Sequence, residues 1–161
     1  MPHPDYFAIF ADHRDKSLHD FAQVIERMPK KPVGTVTVAE LCSMADYPNG
    51  LYLFYDDDDK LWYVGKSTSR SFIERVPAHF DQRSDAWFNT LPKRIMAITE
   101  IADYADAHAL GLSLRLVLVG IKSKRTALDL ETVLRGFMRP HLNPIKKLNY
   151  TGAEPLNEYD P

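Results

Sequence analysis

Two tyrosines occur in short glycine-containing stretches on either side of an acidic run. Gly50-Leu51-Tyr52 precedes Asp56-Asp57-Asp58-Asp59-Lys60, and Tyr63-Val64-Gly65-Lys66 follows it. A phenol has an unperturbed pKa of about 10, so it accepts a proton at neutral pH only where nearby cations lower that pKa. Lys66 is one such cation. The two stretches therefore indicate a site in which phenols transfer a proton or orient a water molecule.

Glu131 is a carboxylate at the edge of an apolar helical face. Apolar residues at helical spacing predict a helix from about Arg125 to Arg139, which Pro140 ends. A carboxylate buried there without a partner would be strongly destabilising, so a cation must compensate it. That cation is either a metal ion or a basic side chain such as Arg75.

Arg75 and His79 are four residues apart on a predicted helix, Ser71 to Phe80, which begins with a Ser71/Glu74 capping box. An arginine can bind a phosphate through two parallel donors and stabilise developing charge. Pro77 lies between the two residues and predicts a kink, so the orientation of His79 is left open.

The ordered set of these residues resembles the GIY-YIG nuclease family, whose name records the two tripeptides, here GLY and YVG. The resemblance covers about residues 49–147. It implies a small α/β (α+β) nuclease domain and a single divalent ion, Mg²⁺ or Mn²⁺, held by Glu131. The seven matching positions, which are the predicted catalytic residues, are Tyr52, Tyr63, Lys66, Arg75, His79, Glu131 and Asn143.

Within that resemblance, each polar residue has an expected role. We expect Tyr52 to accept a proton from the attacking water, with its pKa lowered by Lys66, His79 and the metal, or with His79 relaying the proton onward. Tyr63 would orient the water or the phosphate, although both tyrosines could simply cover the sheet. Asn143 would hold the glutamate region in place, contact phosphate, or cap the loop after the last helix.

Basic residues concentrate in the middle of a chain whose formal net charge is -2. Residues 60–147 hold 15 Lys and Arg against 8 Asp and Glu, whereas residues 1–59 hold 5 against 11. Clustered cations can follow a phosphate backbone without reading its sequence. The predicted nucleic-acid-binding residues are Arg70, Lys93, Arg94, Lys124, Arg125, Arg135, Arg139, Lys146 and Lys147.

The elements that must position these residues form a predicted three-stranded antiparallel-type sheet flanked by helices. Leu51 to Tyr55 and Leu61 to Val64 form a hairpin, and Leu112 to Ile121 form the third strand. A turn centred between Asp57 and Asp58 would place Tyr52 directly opposite Tyr63. A long helix is predicted from about Lys93 to Ala109, ended by Gly111.

The predicted organisation has three parts: an N-terminal helical arm over residues 1–48, the nuclease-like domain over 49–150 and a loose acidic tail over 151–161. The arm contains a helix over Ser17 to Met28 and a second one capped by Thr37 and Glu40. The arm and the segment Asp81 to Thr90 are candidate recognition or dimerisation elements. Cys42 is the single cysteine, and no signal peptide or membrane segment is predicted, so we expect a cytoplasmic protein.

The leading hypothesis is a metal-dependent endonuclease on double-stranded DNA, restriction-like or phage-type, that dimerises to cut both strands. Two alternatives stay open. One is a catalytically inactive nucleic-acid-binding module that kept the core but lost turnover. The other is a repair nuclease specific for single-stranded or branched DNA. Plasmid nicking with Mg²⁺ or EDTA separates the endonuclease from the inactive module, and cleavage of forks with inactivity on duplex would identify the repair nuclease.

Overall fold

A mixed five-stranded sheet forms the centre of the fold in the part of the chain that the computed structural model describes, residues 2–83, 90–143 and 150–159. Its strands are β1 (Phe7–Ile9), β2 (Lys31–Pro32), β3 (Asn49–Tyr55), β4 (Leu61–Ser67) and β5 (Arg115–Ile121). β3 is buried along its whole length, because strands lie on both sides of it and helices cover both faces. Leu51 and Leu53 pack on one face, and Tyr52 and Phe54 pack on the other.

The strand order is β1-β5-β3-β4, with β2 also pairing with β5. β1 is parallel to β5, whereas β2, β3 and β4 pair antiparallel to their neighbours. The predicted three-stranded sheet was therefore incomplete, and the separate N-terminal helical arm was wrong, because residues before 49 supply two strands of the same sheet. Strands of three and two residues are too short to show an alternating pattern, and pairing with a distant segment holds them.

Helices cover both faces of the sheet. They are α1 (Leu18–Arg27), α2 (Val38–Cys42), α3 (Phe72–Ala78), α4 (Leu91–Ile98), α5 (Tyr104–Ser113) and α6 (Lys124–Met138). α1 and α6 pack on the face that carries Leu51, and α3, α4 and α5 pack on the face that carries Tyr52. The capping boxes predicted at Thr37 and Ser71 are both present, and α3 ends one residue after Pro77.

The segment predicted as one helix from Lys93 to Ala109 is two helices, α4 and α5. Thr99 adopts an extended backbone after α4, and its hydroxyl donates to the carbonyl of Ile95. Asp103 then caps α5 by accepting from the amides of Ala105 and Asp106. Gly111 lies within α5 rather than ending it, so β5 begins at Arg115, three residues later than predicted.

The predicted loose tail is instead packed against α1. The amides of Leu18 and His19 donate to the carbonyls of Glu154 and Gly152, and Leu156 is fully buried among the side chains of the α1 and α6 layer. The acidic composition of the segment concealed its apolar contacts, because Tyr150 and Tyr159 pack on the same layer as Leu156. In the described residues, no helix combines the length and the apolar character needed to cross a membrane.

Candidate active site at the edge of the sheet

A cavity of about 260 Å³ lies at β4, the last strand in the sheet order. Six of the seven predicted catalytic residues line it, together with a glycine and two further arginines. The lining residues are Tyr52, Tyr63, Gly65, Lys66, Arg75, Arg94, Glu131, Arg135 and Asn143. His79, the seventh, does not line the cavity but contacts both tyrosines: it forms a hydrogen bond with Tyr52, and its ring centre lies 5.3 Å from that of Tyr63.

The two tyrosines occupy a diagonal position across the hairpin rather than a directly opposed one. Tyr52 pairs with Gly65, and Tyr63 pairs with Phe54, so the predicted register was wrong by two residues. The shift arises at the turn, where Asp59 adopts a left-handed backbone and the ladder is irregular next to Tyr55. A shift of two keeps both phenols on the same face, and their rings stack with centroids 6.1 Å apart.

Gly65 makes room for the Tyr52 ring. A Cβ on Gly65 would overlap the ring and hydroxyl of Tyr52, which leaves only glycine compatible with this position of the ring. Gly50 has the same function for Phe72 of α3. The glycines of the two tripeptides therefore fix the distance between the sheet and the aromatic side chains above it.

A hydrogen bond of 2.6 Å joins the hydroxyl of Tyr52 to Nε2 of His79, and both side chains are buried. Burial lowers the pKa of His79 to about 3, and the charges of Arg75 and Arg94 lower it in the same direction. The imidazole is therefore neutral at pH 7, and Nε2 is free to accept the phenolic proton.

The pKa of Tyr52 is shifted opposite to the predicted direction. Burial raises it well above its ordinary value, Tyr63 raises it further, and Arg75 opposes both. The expectation named Lys66, His79 and a metal as the cations that lower this pKa. Arg75 is the cation that lowers it here, and desolvation outweighs that charge. The raised pKa keeps the phenol protonated at neutral pH, with the neutral imidazole of His79 as its hydrogen-bond partner.

Glu131 is the carboxylate of the cavity, with a side chain only 5% exposed. Its Oε2 lies 3.3 Å from Nζ of Lys66, and its Oε1 accepts from Arg135 at 3.0 Å. The basic partner is thus not Arg75, the residue first considered. Arg135 lies one helical turn after Glu131 on α6, and this i,i+4 spacing was readable in the sequence but was interpreted only as part of a DNA-binding surface.

Asn143 holds the cavity wall through the backbone of β4. Its amide oxygen accepts from the amide of Val64 at 2.8 Å, and its amide nitrogen donates to the carbonyl of the same residue at 3.0 Å. Leu142 and His141 add two backbone bonds to Trp62 and Leu61. Both polar ends of Asn143 are used in this way, so the structure shows a role that was not among the three expected ones: it positions β4.

The other predicted DNA-binding residues that the structure describes do not line the cavity. Lys93 precedes Arg94 on α4, Arg139 follows α6, and Lys124 and Arg125 begin α6, where Arg125 pairs with Asp129. Arg70 lines a separate groove with Thr68 to Phe72. Lys146, Lys147 and most of the candidate recognition segment Asp81 to Thr90 lie outside the described residues.

No family model matches the chain, and neither a curated protein nor a solved structure is significantly similar to it. The relation to GIY-YIG nucleases thus remains a prediction that depends on the identity, order and spacing of the seven residues.

Proposed function

We propose that this protein is a divalent-metal-dependent endonuclease that hydrolyses phosphodiester bonds in DNA. The observation that carries the proposal is the convergence of two phenols, a guanidinium and a buried carboxylate on one cavity at a strand edge. Phosphodiester hydrolysis needs a proton acceptor for the attacking water, positive charge on the phosphate and stabilisation of the leaving oxygen. Tyr52, Arg75 and the Glu131 region supply groups suited to each task.

The proton path runs through Tyr52. An attacking water would give its proton to the Tyr52 oxygen while the phenolic proton passes to Nε2 of His79, so the phenol never needs to exist as a free phenolate. In the resting site, Arg75 and Arg94 oppose a charge on His79. A bound phosphate would offset both of these cations and raise the pKa of His79 when the proton arrives.

The side chains around Glu131 suit one hydrated divalent ion bound together with substrate. No group of three or more His, Cys, Asp or Glu residues able to hold a metal occurs in the described ranges. Each Glu131 oxygen has one cationic partner and keeps a second lone pair, and Mg²⁺ commonly uses one protein carboxylate, several waters and a substrate phosphate. When bound, Mg²⁺ or Mn²⁺ would neutralise phosphate charge and stabilise the leaving oxygen.

A polyanion fits the charge of the site. Lys66, Arg75, Arg94 and Arg135 line the cavity against a single carboxylate, Glu131. One cavity of this size serves one strand, so cutting a duplex requires two molecules or two sequential events. We therefore propose a homodimer on duplex DNA, which analytical ultracentrifugation with and without an oligonucleotide would test.

The test is nicking of supercoiled plasmid by the wild type, Glu131→Gln and Asp129→Asn, each with Mg²⁺, Mn²⁺ or EDTA. Asp129 is a matched carboxylate on the same helix, where it pairs with Arg125 outside the cavity. We expect nicking by the wild type and Asp129→Asn in the presence of metal, and a loss of at least about 100-fold in Glu131→Gln. Equal rates in Glu131→Gln and wild type would contradict the proposed role of the carboxylate.

A catalytically inactive DNA-binding module is the second candidate. Lys66 and Arg135 form ion pairs with Glu131 in the structure, so the carboxylate already has cationic partners without a metal ion. That candidate predicts that the wild type retards plasmid in a gel without nicking it under any metal condition. Binding without cleavage would therefore replace the endonuclease proposal.

A further inference from the structure

Arg94 stands apart from the other basic residues that the sequence marks for DNA binding. It lies on α4, whose neighbours Leu91 and Ile95 are fully buried, so the helix is fixed against the core. The amide of Leu91 also donates to the carbonyl of His79, which ties the start of α4 to the end of α3. Arg94 is therefore held at the cavity by the same backbone that holds His79.

The guanidinium of Arg94 lies over Tyr63. Its Cζ is 5.3 Å from the centre of the phenol ring, within the range of a cation–π contact. Its Nε is buried and has no hydrogen-bond acceptor among the described residues. A guanidinium has five donors in a fixed fork, and a buried donor without an acceptor is destabilising.

The four cations of the cavity fall into two pairs. Lys66 and Arg135 form ion pairs with Glu131. Arg75 and Arg94 form no ion pair with a carboxylate in the described part of the chain, and both act on His79 through their charge. The second pair thus faces the cavity with positive charge that no carboxylate among the described residues neutralises in an ion pair.

We propose that Arg94 is a second catalytic arginine, which binds a non-bridging oxygen of the scissile phosphate opposite Arg75. The proposal rests on the proposed nuclease function and assigns Arg94 to the reacting phosphate instead of a flanking backbone phosphate. Tyr63 is the platform that orients the guanidinium. Arg94 lines the cavity although its Nε is buried, so its terminal nitrogens are the donors that would meet the phosphate.

The experiment measures two properties of wild type, Arg94→Met, Arg94→Lys and Arg27→Met. The first is the affinity for inorganic phosphate, followed by thermal stabilisation at increasing concentration. The second is single-turnover cleavage of plasmid at saturating enzyme, which reports the chemical step separately from binding. Arg27 is an exposed arginine on α1 and controls for the loss of one positive charge.

We expect Arg94→Met to weaken phosphate binding about tenfold or more and to slow the cleavage step about 100-fold. Arg94→Lys keeps a charge over Tyr63 but loses the fork, so we expect about a tenfold slower cleavage step. Arg27→Met should match the wild type in both. If Arg94→Met does not fold, the comparison of Arg94→Lys with the wild type is the test.

Unchanged phosphate affinity and unchanged single-turnover rate in either folded Arg94 variant would overturn the assignment. Weaker phosphate binding without a slower cleavage step would also overturn it, because a contact to a flanking phosphate acts in that way. If the wild type binds phosphate through Arg94 but cuts no DNA, the nuclease proposal fails and the anion site at Arg94 stands.

Discussion

At the scale of single residues, the close contact between Gly65 and the Tyr52 ring fixes the position of that ring in the candidate site. Gly65→Ala would push the Tyr52 ring away from His79, because the added methyl group overlaps the ring. We expect a loss of activity of at least about 100-fold with little loss of secondary structure. Plasmid nicking and circular dichroism measure the two effects.

Gly34→Ala is the matched control for that substitution. A Cβ there would meet its nearest neighbour at 3.4 Å, an ordinary contact, and the residue is exposed. Full activity in Gly65→Ala would show that the ring need not stay over the glycine.

His79 gives the stability of the protein a measurable dependence on pH. Its folded pKa of about 3 lies below its ordinary unfolded value of about 6.5, so between these values the unfolded chain binds the extra proton. Stability therefore rises with pH through this window and falls as the pH drops from about 6.5 towards 3.

We expect His79→Gln to flatten the dependence of the unfolding free energy on pH between 6.5 and 4, by at most about 1.4 kcal/mol per pH unit. Urea unfolding at several pH values measures this slope. Exposed His141→Gln should keep the wild-type slope, and an identical slope in all three proteins would contradict the buried neutral imidazole.

At the scale of elements, residues 141–143 form hydrogen bonds along the outer edge of β4. Asn143→Ala removes both bonds to Val64 and leaves a buried amide and carbonyl without partners. We expect a destabilisation of about 1–3 kcal/mol in urea unfolding and a fall in nicking activity, because β4 carries Tyr63 and Lys66. Wild-type stability in this variant would mean that water replaces the asparagine.

Local signals explain which elements were predictable. Ser17, Thr37 and Ser71 each begin a helix with a side-chain cap, and α6 was placed to within one residue at both ends. β1 and β2 were missed because their stability comes from pairing with β5 and not from their own sequence. The set of site residues was predictable from their order, but the partners of Glu131 and the direction of the Tyr52 pKa depend on packing across β4 and α6.

At the scale of the whole molecule, residues 150–159 stabilise the layer formed by α1 and α6 through Leu156. Leu156→Ala would leave a cavity in that layer, and we expect a destabilisation of about 2–5 kcal/mol in urea unfolding. Val38→Ala is the control, since Val38 is 67% exposed and should change the stability by less than about 0.5 kcal/mol. Equal stability of the two variants would show that the tail does not contribute to the core.

The position of β4 at the end of the sheet order determines whether a DNA strand would need a free end to reach the site. Within the described residues, the cavity lies along a rim and not inside a tunnel, so a strand can lie across it without passing a free end through the protein. Covalently closed circles and linear fragments should then be equally good substrates, and cleavage should not progress inward from a terminus.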